Sequence, residues 1–148
     1  MRDPSATEQS PALLDLDATF LPIGHMRQIS RVVRVDGAEI TGEVELGAGH
    51  WVFGEHFPGD PIFPGALLIE AAGQLVVLWA WANGSRGRPR YARVSAEFHR
   101  PVGPEAERIS LRAEVRRRRH LLFATVGLWV ATSHVATVDA VLAVLPAD

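Results

Sequence analysis

The stretch PGALLIEAAGQLVVLWAWANG, residues 64–84, decides the fold. Pro64 suits the first turn of a helix, where its missing N–H costs nothing, and Asn83-Gly84 supplies a C-terminal cap. Between them, residues 66–82 contain only two strongly polar side chains, Glu70 and Gln74. A helix apolar all round belongs inside a protein or inside a membrane. The run is shorter than the roughly 20 residues a bilayer needs and carries a carboxylate at its middle, which favours the protein interior. The sequence therefore predicts one long helix buried within its own domain.

Period-two alternation on both sides supplies what buries it. Upstream, a β-rich run over residues 27–35 reaches Asp36-Gly37, a strong hairpin dipeptide. Ala38, Ile40, Gly42, Val44 and Leu46 then alternate with Glu39, Thr41, Glu43 and Glu45, the pattern of a hairpin with one wet face. Downstream of the loop SRGRP, residues 85–89, the pattern places Ala92, Val94, Ala96 and Phe98 on one face of a strand. Ile109, Leu111, Ala113 and Val115 repeat it after the turn region 101–107. The last runs, 121–131 and 134–145, are apolar on both faces, so they are expected to be central strands or covered by a partner. The expected fold is α+β, an antiparallel β-sheet wrapped around one long central helix in a single domain over residues 1–148. Residues 1–12 are expected as a loose N-terminal tail leading to a short helix or turn around 12–20.

Composition narrows the classes without naming a partner. With 47% hydrophobic residues, 22% charged residues and a net charge of -2, the 148-residue chain reads as one ordinary globular domain rather than a disordered tail or a strongly basic nucleic-acid binder. All 15 basic residues are Arg. The absence of cysteine excludes disulfides, thiolate nucleophiles and Cys-ligated metals. The first residues have neither a long apolar core nor a small-residue cleavage site, so no signal peptide is read and a cytoplasmic location is expected.

Glu70 and Gln74, four residues apart, share one face of the helix. A buried carboxylate must be protonated, hydrogen-bonded or turned into a pocket, because leaving it unpaired costs several kcal/mol. Helix pattern alone leaves open a satisfied core glutamate and a general acid. The preceding segment bears on the choice. His56 lies beside Pro58-Gly59 and Asp60-Pro61, and Pro64-Gly65 launches the helix, so three prolines fix the path from His56 to Glu70. The N–H groups of Gly65 and Ala66, at the positive end of the helix dipole, suit an oxyanion.

The segment HFPGDPIFPGALLIEAAGQ, residues 56–74, resembles the 3-hydroxyacyl-acyl-carrier-protein dehydratase family of the FabZ-like, hot-dog-fold type. Its His-Phe-Pro-Gly, Pro-Gly and Glu-Ala-x-x-Gln elements match at the family's spacing. Phe20-Leu21-Pro22 and EFHRPV, residues 97–102, extend the resemblance more weakly. The resemblance implies dehydration of a 3-hydroxyacyl thioester to the trans-2-enoyl thioester, without a cofactor or metal. His56 would take the proton alpha to the carbonyl, Glu70 would protonate the leaving 3-hydroxyl, and Gly65 would offer its N–H to the carbonyl. Ala66, Phe57 and Gln74 would complete the substrate contacts, with Gln74 orienting Glu70 or a water. It further implies an acyl carrier protein as partner and a site shared between two subunits, in a homodimer, a heterodimer with a homologous subunit, or a higher oligomer.

Some residues depart from the family pattern. Glu55 stands before His56 where glycine is usual, the early segment lacks the His-Arg after Pro22, and His99 replaces a common arginine. These leave room for a polyketide or other specialised acyl chain beside fatty-acid biosynthesis. His25, His50, His120 and His134 read as surface or structural, and Arg116 to Arg119 as a solvated turn. Arg86, Arg88 and Arg90, or Arg116 to Arg119, are the candidates for docking an acidic carrier protein. A hot-dog thioesterase or isomerase, and a weakly active subunit of a heterodimer, are the competing readings.

Overall fold

The computed structural model describes residues 14–56 and 58–146. The expected N-terminal tail and Phe57 lie outside the described residues. Two short 3-10 turns, Leu16–Ala18 and Gly24–Met26, precede strands β1 (Arg31–Asp36) and β2 (Glu39–Glu45). A four-residue helix α1 (Val52–Glu55) and the long helix α2 (Gly65–Ala82) follow, then β3 (Arg88–Phe98), β4 (Arg108–Arg118), β5 (Leu121–Val130) and β6 (Ser133–Leu145). The six strands form one antiparallel sheet in the order β1-β2-β4-β5-β6-β3, with β1 and β3 as its edges.

The inward rows of the sheet are the alternating apolar sets. Ile40 and Val44 of β2, Ile109, Leu111 and Ala113 of β4, Leu122 and Leu128 of β5, and Val138 and Leu142 of β6 are buried with Leu75, Val76 and Leu78 of α2. This is the hot-dog arrangement, and it explains why α2 needs no polar face. By length and composition α2 is apolar enough to cross a membrane, yet much of it is buried in its own sheet. At its C-terminal end the Trp79 indole donates to the Gly37 carbonyl at 2.8 Å and pins the helix to the β1–β2 turn. Gly84, at φ 89°, follows the cap residue Asn83 in the left-handed region that glycine tolerates.

Three local expectations are corrected. The loop before α2 contains α1, which buries Val52 and Phe53. In β3 the register slips between Tyr91 and Arg93, so Ala92 is the bulged residue. The inward row therefore reads Tyr91, Val94, Ala96, Phe98, paired with Leu142, Ala140, Val138 and Ala136 of β6. Arg116 to Arg118 belong to the end of β4 rather than to a turn; Arg119, at φ 58°, makes the turn. As expected from their two-sided apolar patterns, β5 and β6 lie inside the sheet.

Candidate active site

Gln74 is buried at 3% exposure, and its amide is committed on both sides. Its Nε2 donates to Glu70 Oε2 and to the Met26 carbonyl, each at 2.8 Å. Its Oε1 accepts the N–H groups of Gln28 at 2.8 Å and Ile29 at 3.2 Å. Two donors and two lone pairs are thereby used, which fixes the amide's orientation. Gln74 orients Glu70, as the i,i+4 spacing suggests, and it also ties the segment leading into β1 to α2.

Glu70 and Gln74 line a cavity of about 370 Å³ with Phe20, Leu21, Pro22 and Tyr91 among its other walls. Arg88 and Arg90 also border it. Val77 and Leu142 give it an apolar side, so a carboxylate with a fixed amide partner faces a space suited to a partly apolar ligand. The Tyr91 hydroxyl donates to the Ile69 carbonyl at 2.5 Å. Burial, and secondarily the Glu70 charge, hold this phenol well above its ordinary range, with the Gly73 backbone amide opposing the shift.

His56 lies elsewhere. It caps the C-terminus of α1, its N–H bonded to the Val52 carbonyl at 2.9 Å, and is half-buried, while Glu55 beside it is exposed. The proline-bearing segment beyond it is docked by Phe63, which is buried and donates its N–H to the Val102 carbonyl at 2.7 Å. Among the described residues, His56 is not part of the wall of the Glu70 cavity. Within one chain, then, Glu70 lines this cavity and His56 does not. At the start of α2 the N–H groups of Gly65 and Ala66 precede the first helical bonds, those of Leu67 and Leu68 to the Pro64 carbonyl at 3.0 and 3.2 Å. Pro64 offers no side-chain cap, and the Phe98 ring lies over Gly65, where a Cβ would come within 2.9 Å of Cζ.

Sequence reading missed Tyr91 as a site residue, because the bulge hides the face it shares with Phe98. It also missed a histidine cluster near α1. His25 stacks on Trp51 at 4.2 Å, and His50 meets Trp51, Phe53 and Phe63 edge-on or tilted. Burial, and secondarily the charge of His25, hold His50 below the ordinary imidazole value. The two arginine groups weighed as docking candidates meet on the outer face of the sheet. Register carries Arg118 through Leu121 and Ala143 to Arg90, and Arg116 through Phe123 and Val141 to Arg93, an arginine outside both groups.

Residues 21–139 match the family described as the FabA-like domain. Among solved structures, a sigma28-regulated virulence protein of Campylobacter jejuni is similar with a TM-score of 0.70 at 10% identity, over 98% of this chain and 94% of that one. A putative thioesterase related to phenylacetic acid degradation from Ralstonia eutropha superposes with a TM-score of 0.61 at 18% identity, over 76% and 83% of the two chains. The PaaI protein from the phenylacetic acid degradation operon of E. coli does so with a TM-score of 0.62 at 13% identity, over 76% and 80%. At these identities the likeness shows a shared fold.

Proposed function

We propose that this chain, which belongs to the FabA-like domain family, dehydrates 3-hydroxyacyl thioesters carried by an acyl carrier protein, with Glu70 as acid and His56 as base. The observation that carries the reading is the Glu70 carboxylate, held at 2.8 Å by a fully committed amide and facing a cavity with an apolar wall. A general acid needs a fixed direction, and the Gln74 amide supplies it. In the proposed reaction the His56 imidazole takes the proton alpha to the thioester carbonyl while the Gly65 N–H stabilises the charge that develops on the carbonyl oxygen. The C–O bond at the 3-position then breaks, Glu70 gives its proton to the departing hydroxyl, and water and the trans-2-enoyl thioester result. The proton on His56 passes back to Glu70 through solvent and restores the pair.

In this reading the site is shared between two copies, one chain's His56 meeting the other chain's Glu70, and the absence of His56 from the lining of its own chain's Glu70 cavity is in keeping with that. The exposed edge strand β3 supports such pairing. Its inward row leaves Tyr91 36%, Val94 37% and Phe98 53% exposed, and an eleven-residue unpaired edge is a template for a further strand. The arginines of the outer sheet face, Arg90, Arg93, Arg116 and Arg118, surround the half-buried apolar strip of Leu121, Phe123, Val141 and Ala143. That pattern suits an acidic carrier protein in the cytoplasm.

The thioesterase named among the similar structures motivates a second reading, in which Glu70 activates a water against the thioester carbonyl. Product analysis separates the two. Incubated with a 3-hydroxyacyl thioester on acyl carrier protein and on a pantetheine mimic, the protein is expected to yield the enoyl thioester, one water lighter. Release of the free acid with no enoyl product would replace dehydration by hydrolysis.

A further inference from the structure

We propose that Tyr91 is the positioning residue for Glu70, its hydroxyl fixing the turn of α2 that presents the carboxylate, with Gly73 a glycine so that the phenol can enter. The proposal rests on the reading of Glu70 as the reacting acid. The bulge in β3 turns Tyr91 inward, and its hydroxyl donates to the Ile69 carbonyl at 2.5 Å. The same hydroxyl packs against Gly73. Ile69 and Gly73 are an i,i+4 pair of the helix, so one phenol from the edge strand joins the two residues that bracket the turn carrying Glu70.

A Cβ on Gly73 would lie 2.4 Å from the Tyr91 hydroxyl and 2.7 Å from the ring carbon bearing it, so no other residue admits this approach. Glycine in a helix interior is unfavourable relative to alanine, and a buried one calls for a packing reason, which the phenol provides. The same inward row sets Phe98 on Gly65, so β3 braces α2 at the proposed oxyanion site and again one to two turns beyond it. Glu70 is consequently held from two directions, by Gln74 within the helix and by Tyr91 from the sheet edge. Proton transfer to a leaving hydroxyl depends steeply on such placement, and loss of the brace acts on turnover more than on binding.

Tyr91 is the only tyrosine of the chain, so phenolate absorbance reports it alone. In the folded protein its midpoint is expected above that of the unfolded chain, and Glu70→Gln is expected to lower it by removing a neighbouring negative charge. In turnover, Tyr91→Phe is expected to reduce kcat about three- to tenfold, the effect of one lost hydrogen bond, with KM changed by no more than about twofold. Gly73→Ala is expected to act in the same direction in the native background, and to add no further loss when Tyr91 is already alanine. An unmoved phenol midpoint in Glu70→Gln would overturn the proposal. So would Tyr91→Phe with native kcat and merely a lower Tm, the mark of a packing residue. The titration needs no turnover, so a wild-type protein that fails to dehydrate refutes the functional reading while the coupling of Tyr91 to Glu70 is still decided.

Discussion

Replacing Gln74 by methionine keeps the length of the side chain and removes both ends of its hydrogen bonding. Methionine adapts its shape readily, so little cavity arises and the cost is that of the groups left behind. The Gln28 and Ile29 N–H groups lose their acceptor, and these residues are 4% and 0% exposed, too buried for water to substitute. The Met26 carbonyl keeps a second donor in Gln28 Nε2 at 3.3 Å and contributes less. At about 1–3 kcal/mol for each of the two orphaned donors, Gln74→Met is expected to cost about 2–6 kcal/mol. That is a large part of the roughly 5–15 kcal/mol by which a domain of this kind is stable. Urea unfolding followed by tryptophan fluorescence reads it as a lower midpoint at unchanged slope. A loss below about 1 kcal/mol would refute the reasoning, since it would mean that the two N–H groups find other acceptors and that Gln74 is not the staple described.

His50 is held in its neutral form by burial and by His25, so protonation opposes folding. Its folded value lies below the unfolded one, so its contribution is complete above the unfolded value of about 6.5 and is lost as pH falls through that value toward the folded one. His50→Asn is expected to flatten the urea midpoint across that acid range, and an unchanged pH dependence would contradict the assignment. Ala131 sits at φ 53° in the β5–β6 turn, a region that costs an alanine strain. Ala131→Gly is accordingly expected to raise stability by about 0.5–1 kcal/mol, read as a higher Tm.

The long helix was legible because its signals are local. Pro64 and Gly84 mark its ends, and the seventeen residues 66–82 carry only two strongly polar side chains. The hairpin around Asp36-Gly37 and the inward rows of β4, β5 and β6 follow in the same way from turn chemistry and alternation. The face of β3 could not be read so simply, because one extra residue at Ala92 exchanges the sides upstream of it and alternation assigns Ala92 where Tyr91 stands. The helix α1 is too short for a 3.6-residue period to register. Within the candidate site, Glu70 and Gln74 declare themselves as the two polar groups of an apolar helix. The partners of Gln74 other than Glu70 lie 45 to 48 residues away and leave no local trace. For Tyr91 the one available signal was Gly73, an isolated glycine inside a helical pattern, which asks what approaches it.

The central claim, that His56 and Glu70 act as one acid/base pair brought together by two copies of the chain, is tested most directly by mixing two disabled variants. His56→Ala and Glu70→Ala proteins, each inactive alone in forming the enoyl thioester, are unfolded together and refolded. Random pairing makes half of the dimers mixed, each with one intact site, so the account predicts recovery of about a quarter of wild-type turnover. Mixed dimers that form without any recovery, or either single variant turning over at the wild-type rate, would contradict it.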